Sequence, residues 1–376
     1  MKLKGKYTNA KIFADRIDDK AFSQIENLLN HKAFENVKVR IMPDVHAGMG
    51  CVIGFTANLG DKVIPNLVGV DIGCGMEVTK LGRINIDFEK LDNMIRKEIP
   101  SGFSIHKKAP MRYDKDWSDR LRSISNKTKS DFNRHICSIG TLGGGNHFIE
   151  INEGKDKEKY LVIHSGSRNL GNVIAKYHQN KAINYCEEMK NKNSVYDVTK
   201  DLAFLENEDR LEYIEDMNFA QEFAELNRKV ISKKICEFLN IDYDSAEKFT
   251  TIHNYVNMKD FIIRKGAICA NKDEVVIIPM NMRDGSIIGI GQGNEDWNNS
   301  APHGAGRILS RKAAKDKLCI NEYKKSMEGI WSSSVSKSTL DESPMAYKPM
   351  DEVKKHMKDT LHILDHIKPL YNFKAK

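Results

Sequence analysis

Between Lys38 and Lys80 the chain carries short apolar runs cut by glycine and proline: V-K-V-R-I-M-P-D-V-H-A-G-M-G-C-V-I-G-F-T, then V-I-P-N-L-V-G-V-D-I-G-C-G-M-E-V. Apolar runs this short, bounded by turn residues, read as buried strands that end in tight turns. The pattern returns in K-Y-L-V-I-H-S-G-S-R, F-T-T-I-H-N-Y-V, F-I-I-R-K-G-A-I-C-A and E-V-V-I-I-P-M-N-M-R-D-G-S-I-I-G-I-G. Helical stretches lie between these runs, so the expectation is an α+β (mixed α/β) fold with antiparallel or mixed sheets and polar site residues at strand ends. The residues left polar in such apolar surroundings are the informative ones. They are Asp44 and His46, Asp71 and Cys74, then His164 and His253.

Helical spacing appears at Phe22, Ile25, Leu28 and Leu29, after a short strand over Ala10 to Phe13, and again at Phe88, Leu91, Met94 and Ile95. The basic, serine-rich connector that follows, up to residue 130, reads as solvated surface. Residues 171–240 read as a helical insert, Val173 to Met189 and Leu211 to Leu239, with no chemistry expected of it. The acidic L-E-N-E-D-R-L-E between these helices reads as a solvated helix face. Met350 to Ile367 reads as an amphipathic helix with His356, His362 and His366 on or near its surface. A chain of 376 residues, 40% hydrophobic and 30% charged, can bury a sizeable core and is not of disordered composition. Its seven cysteines are odd in number and form no C-x-x-C pair, which argues against a disulfide framework and leaves thiols free for a metal. The start, M-K-L-K-G-K-Y-T-N-A-K, has no apolar segment, and no run approaches the roughly 18 apolar residues of a membrane span, so a cytoplasmic protein is expected. Net charge of +7 is compatible with a polyanionic partner such as RNA.

Asp71 and Cys74 stand three apart among glycines, and a curled turn could aim both at one site. A carboxylate and a thiolate suit a borderline-soft divalent ion; the same D-I-G-C-G is also what a turn with an inert buried cysteine looks like. In R-H-I-C-S-I-G-T-L-G-G-G-N-H-F-I-E the glycines predict a loop leading into a strand, which sends His147 and Glu150 to opposite faces and so to different tasks. His164 closes a strong strand and is followed by a small-residue loop ending in Arg168. In N-S-A-P-H-G-A-G-R, Pro302 and the glycines place His303 on a tight loop entering a helix. Backbone N–H groups there could hold phosphate and an exposed imidazole could attack phosphorus. A turn histidine bonded to a carbonyl is the plain alternative.

The blocks M-P-D-V-H-A-G, G-V-D-I-G-C-G, G-T-L-G-G-G-N-H-F-I-E, H-S-G-S-R, H-N-Y, R-K-G-A and N-S-A-P-H-G-A-G-R-I-L-S-R, in that order from about residue 41 onward, resemble the RtcB family of RNA ligases. The resemblance implies a single domain over residues 1–376, with β-sheets around a central metal site, flanking helices and the helical insert. It implies two Mn ions held by Asp71, Cys74, His147, His164 and His253, with the cysteine bridging. It also implies GTP as cofactor, His303 as the residue that becomes guanylylated, and Asp44 as the carboxylate orienting it. The partners implied are RNA with 3′-phosphate or 2′,3′-cyclic phosphate and 5′-hydroxyl ends, in RNA repair or tRNA splicing, and archease, an activating protein used by some members.

By the same resemblance, Asn146, Phe148, Glu150, Ser286, Ala305, Gly306 and Lys374 belong to the GTP or GMP site, with Glu150 accepting from the guanine N1–H and N2–H₂. Arg134, Arg168 and Arg311 match positions that hold RNA phosphates, where the guanidinium fork suits a bidentate contact. Three positions depart from the family pattern: Gly73 and Ala47 stand for its usual Asn and Pro, and N-M-R-D-G-S, with Arg283 and Asp284, stands for P-G-S-M-G. Two other classes remain open to the sequence, a metal-dependent cyclic phosphodiesterase without ligation and a non-catalytic RNA-binding paralogue. No G-x-G-x-x-G or P-loop is present, so a GTP site would be of neither common type.

Overall fold

The apolar runs form strands and pair as their lengths allow. In the computed structural model, which describes residues 1–375, β1 (Lys2–Lys4), β2 (Asn9–Ile12), β3 (Val39–His46) and β4 (Ile53–Ala57) continue into β12 (Ile263–Lys265) and β11 (Asn254–Val256) as one six-stranded sheet. Its β2–β3 pair is parallel and its other pairs are antiparallel. A second sheet runs β10 (Lys248–Ile252), β6 (Gly75–Gly82), β8 (Lys159–Ser165), β7 (Phe148–Glu153), β17 (Leu361–Lys374), β15 (Gly285–Gly291) and β14 (Val275–Asn281). Two small pairs complete the sheets, β5 (Lys62–Val63) with β9 (Leu205–Glu206) and β13 (Ala267–Cys269) with β16 (Ser300–Pro302). The mixed α/β class expected from the sequence is what the chain adopts.

The seven-stranded sheet curls until its edges nearly meet, with the Ile277 N–H donating to Thr251 Oγ1 at 3.2 Å. Met76, Val78, Phe148, Val162, Ile277, Ile288 and Ile367 form one buried cluster drawn from its strands. Register then decides where the polar residues go. Gly75 pairs with Ser165 and Ile252, and Phe148 pairs with His164 and Lys374, so the ends of β6, β8, β10, β7 and β17 all meet at one rim. Cys74, His147, His164, His253 and Lys374 lie within one residue of these ends.

Helices cover the sheets: α1 (Asp19–Leu29), α2 (Phe88–Glu98), α3 (Lys115–Lys127), α4 (Phe132–Ser138), α5 (Arg168–Met189) and α6 (Asn207–Phe238), then the shorter α7 (Arg311–Lys317), α8 (Ile320–Ser326) and α9 (Met350–Met357). Three expectations are corrected. The connector contains α3: Asp114 caps it by accepting from the Trp117 N–H, Trp117 stacks on Tyr113 at 4.6 Å, and Leu121 and Ile124 are buried at helical spacing that the many charges obscure. The tail is helical only to Met357. Thr360 ends the helix by bonding to Met357 O, and Leu361 onward becomes the strand between β7 and β15, because L-H-I-L-D-H-I fits a two-residue period as readily as a helical one and the vacant edges select the strand. His303 does not lie at a helix start. It follows β16, whereas α7 begins eight residues later behind the Ser310 cap.

The residue Gly73 has a physical reason. Its φ is +69°, and a Cβ there would lie 2.9 Å from Gln221 Cα on α6. Restoring the family's residue with Gly73→Asn should therefore destabilise the protein by about 1–3 kcal/mol through overpacking. Thermal or denaturant unfolding should show a lowered midpoint; an unchanged or raised midpoint would contradict the packing argument.

Candidate metal centre and nucleotide cleft

Four imidazoles stand in a row. Ring centroids are 5.3 Å apart for His147 and His164, 5.3 Å for His164 and His253, and 4.9 Å for His253 and His303. Cys74 Sγ lies 3.4 Å from His147 Nε2 and 3.3 Å from His164 Nε2, and the donor atoms of these three buried residues all fall within 4.8 Å of one another. Asp71 Oδ2 is 3.0 Å from His147 Nε2.

The hydrogen bonds on the far side of each ring fix the tautomers. His147 Nδ1 faces Leu142 O at 3.0 Å and His164 Nδ1 faces Asn146 O at 3.2 Å. Carbonyls only accept, so each Nδ1 carries its proton and each Nε2 turns a lone pair inward. At His147 that lone pair meets a carboxylate oxygen and a sulfur, an arrangement that needs either a second proton or a cation. Burial, then the neighbouring ring of His147, hold His164 well below the ordinary imidazole range; burial and His303 do the same for His253, whose Nδ1 has no partner among the described residues. Burial and the Asp71 carboxylate push the Cys74 thiol well above its usual value. The neutral imidazoles of His164 and His253 and a thiolate that only a nearby cation would stabilise are what a borderline divalent ion requires, so these residues fit a metal.

His303 is held differently. Asp44, fully buried in β3, accepts at Oδ2 from His303 Nδ1 at 2.6 Å, from the His303 N–H at 3.1 Å and from the Gly304 N–H at 3.2 Å. The backbone donors expected to face phosphate are thus spent on a carboxylate. Since a carboxylate accepts, the ring proton sits on Nδ1 and Nε2 keeps its lone pair, with no protein partner among the described residues. The His46 ring, by contrast, bonds to Asp44 O at 2.9 Å and serves the backbone.

Beside His303 opens a cleft of about 780 Å³ that Asn146, Phe148, Glu150, Ala305, Gly306 and Lys374 help to line, with Arg311 on its wall. Lys374 Nζ donates to Asn146 O at 3.2 Å and lies 5.4 Å from the centroid of the Phe148 ring. Arg168 lies behind the glycine run, donating to Thr141 Oγ1 at 3.0 Å and Gly102 O at 2.8 Å. Ser286 is buried within β15 and does not line the cleft, and Arg134 is exposed on α4.

Other residues had no signal in the motif reading. Glu342 receives Lys374 Nζ at 2.8 Å, the Tyr347 hydroxyl at 2.8 Å and an Arg311 nitrogen. Burial alone would push its carboxyl up; Lys374 and Arg311 reverse this and hold it at about 2. D-E-S-P-M-A-Y has neither glycine punctuation nor periodicity to betray this. Asn227 and Arg228 on α6 give the helical insert, of which the sequence predicts no chemistry, a bracing role behind the site. Arg228 Nη1 bonds to Gly73 O at 2.9 Å and Ser165 O at 2.8 Å, and Asn227 bonds Gly140, Thr141, Ser165 and Gly166, so α6 ties together the turns that carry the donors. Two polar residues on the apolar stripe between Ala224 and Ile231 were the available clue.

Residues 24–375 match the family described as tRNA-splicing ligase RtcB. The RNA-splicing ligase RtcB of Escherichia coli strain K12 is 30% identical over 360 residues, which cover 87% of each chain. The tRNA-splicing ligases RtcB of Methanococcus maripaludis and Nanoarchaeum equitans are 26% and 28% identical, over 94% and 92% of this chain and 90% and 89% of theirs.

Glu150 offers a test of the cleft's electrostatics. Burial raises its carboxyl from 4.5 to about 7, against the opposing pull of Asn152, Lys374 and Asn372. A raised folded pKa adds stability that is full below 4.5 and is lost as pH rises through about 7, on the order of 3 kcal/mol in all. Glu150→Gln can keep its bonds by amide flips, since Asn152 Oδ1 and Asn372 Oδ1 are unpartnered. Denaturant unfolding without ligands should show the variant flat over this window and more stable than wild type at pH 8; parallel pH profiles would contradict it.

Proposed function

The chain belongs to the RtcB family, and on that premise we propose that it is an RNA ligase joining 3′-phosphate or 2′,3′-cyclic phosphate ends to 5′-hydroxyl ends through a GMP-linked histidine. The observation that carries this reading is the 2.6 Å contact between Asp44 Oδ2 and His303 Nδ1, which leaves an unpaired Nε2 between a metal-competent cluster and a cleft.

In this reading His303 Nε2 attacks the α-phosphorus of GTP. A P–N bond forms, the P–O bond to pyrophosphate breaks, and Asp44 keeps the developing imidazolium in place through its Nδ1–H. An oxygen of the RNA 3′-phosphate then attacks the same phosphorus and His303 leaves as neutral imidazole. The 5′-hydroxyl finally attacks the 3′-phosphate, expelling GMP as its proton is lost. A cyclic phosphate is first opened by water to the 3′-phosphate. Two divalent ions, expected as Mn although zinc suits the same donors, would be held by Asp71, Cys74, His147, His164 and His253 and would polarise phosphate oxygens and acidify a water or 5′-hydroxyl. Glu150 in its ionised form accepts from the guanine N1–H and N2–H₂, with Lys374 beside it. Arg311 holds phosphate.

The test is incubation with α-³²P-labelled GTP and Mn followed by a denaturing gel. Wild type should retain acid-labile label, while His303→Ala and Cys74→Ala should retain none. Asp44→Asn should slow labelling about 10²- to 10⁴-fold by misorienting the ring. A metal-loaded wild type that stays unlabelled even with archease, yet opens cyclic phosphates after His303→Ala, would replace ligation with phosphodiester hydrolysis.

A further inference from the structure

On a turn tied to the glycine loop that precedes His147, one aromatic side chain is held out into solvent. Phe103 is 95% exposed, more than any other large hydrophobic side chain among the described residues. Its exposure comes from a fixed backbone. Ser101 to Ser104 form a tight turn closed by the Ser104 N–H on Ser101 O at 3.2 Å, with Gly102 at φ +64°. The Gly102 N–H donates to Gly143 O at 2.8 Å, the Leu142 N–H donates to Pro100 O at 2.9 Å, and the Arg168 guanidinium holds Gly102 O at 2.8 Å. Four hydrogen bonds therefore pin a turn whose tip is apolar and unburied.

The turn is anchored on the loop that positions a metal donor. A Cβ placed at Gly143 would lie 2.0 Å from Arg168 Nη1 and 2.7 Å from His147 Nδ1, so the anchor of the Phe103 turn packs directly against that histidine. The segment beyond is cationic: Lys107 and Lys108 are exposed. The His106 N–H bonds to Cys137 O at 2.9 Å, which ties this segment to α4, where Arg134 is exposed. A solvent-facing aromatic on a fixed backbone turn, with exposed cations on the segments joined to it, is an arrangement that can hold single-stranded nucleic acid, with bases on the π face and phosphates on the cations.

We propose that Phe103 is a stacking platform for a nucleobase of the RNA strand whose end enters the metal centre, on the Gly143 and Arg168 side of His147. The proposal rests on the RNA-ligase reading above and adds a binding subsite to it. Stacking tolerates any base, so this subsite contributes affinity and alignment of the strand end rather than sequence choice.

The experiment compares full-length wild type, Phe103→Ala and Phe103→Trp with Mn, using single-stranded RNA bearing a 3′-phosphate and 2-aminopurine at each of its last three positions in turn. A matching set carries a 5′-hydroxyl and 2-aminopurine at each of its first three positions. Phe103→Ala should weaken RNA binding about 5- to 150-fold and abolish 2-aminopurine quenching at one position, with Phe103→Trp restoring both. The salt dependence of binding should not change, since no cation is removed. Labelling by GTP alone should match wild type, which also shows that the variant folds. Unaltered RNA affinity and quenching in a Phe103→Ala protein that labels normally would overturn the stacking role while leaving the ligase reading intact. A wild type that neither labels nor binds RNA would remove the reading and this proposal together.

Discussion

One buried carboxylate oxygen holds the reactive region together. Asp44 Oδ2 accepts from the His303 ring and from two successive backbone N–H groups, and each charge-assisted bond of this kind contributes roughly 1.5–3 kcal/mol in a site removed from water. Asp44 comes from β3 of the six-stranded sheet. His303 follows β16, which pairs with β13 and reaches the same place from far along the chain. Gly306, at φ +73°, lets the loop return so closely that a Cβ would lie 2.5 Å from Asp44 O. Position and protonation of the ring therefore have one cause, and the free Nε2 follows from it.

The candidate metal donors depend on a different constraint, the register of the curled seven-stranded sheet. Cysteine, histidine and lysine reach one rim because Gly75, Ser165, Ile252, Phe148, His164 and Lys374 are matched across adjacent strands. A slip of one residue in β8 would turn His164 away from Cys74. Behind the rim, Arg228 is buried with its charge turned toward the carbonyls of Gly73 and Ser165, so α6 braces the two donor turns. The two sheets meet where the Gly266 N–H bonds to His253 O at 2.7 Å, and this joins the metal row to the His303 loop.

Much of this was legible in the residues. Glycine-bounded apolar runs announced strands, and the polar residues stranded at their ends are the ones the fold gathers. Phe148 and Glu150 on one strand face, with His147 apart, followed from strand alternation. The failures have physical causes. At Leu361 to Ile367 two periodicities coincide, and only the vacant sheet edges choose between them. In the connector, Trp117, Leu121 and Ile124 are too thinly spread among charges to show their helix. Tertiary ion pairs such as Glu342 with Lys374 and Arg311 leave no local trace, because their partners lie about 30 residues apart. The same holds for Asn227 and Arg228, which look like ordinary helix residues until β6 and β8 are placed against them.

The central claim is that Asp44 commits the ring proton of His303 to Nδ1 and leaves Nε2 as the nucleophile. Nuclear magnetic resonance of ³¹P in protein treated with GTP and Mn, with peptide mapping of the modified residue, tests this directly. The account predicts a single phosphoramidate on His303 through Nε2. A linkage through Nδ1, or to any other residue, would contradict it.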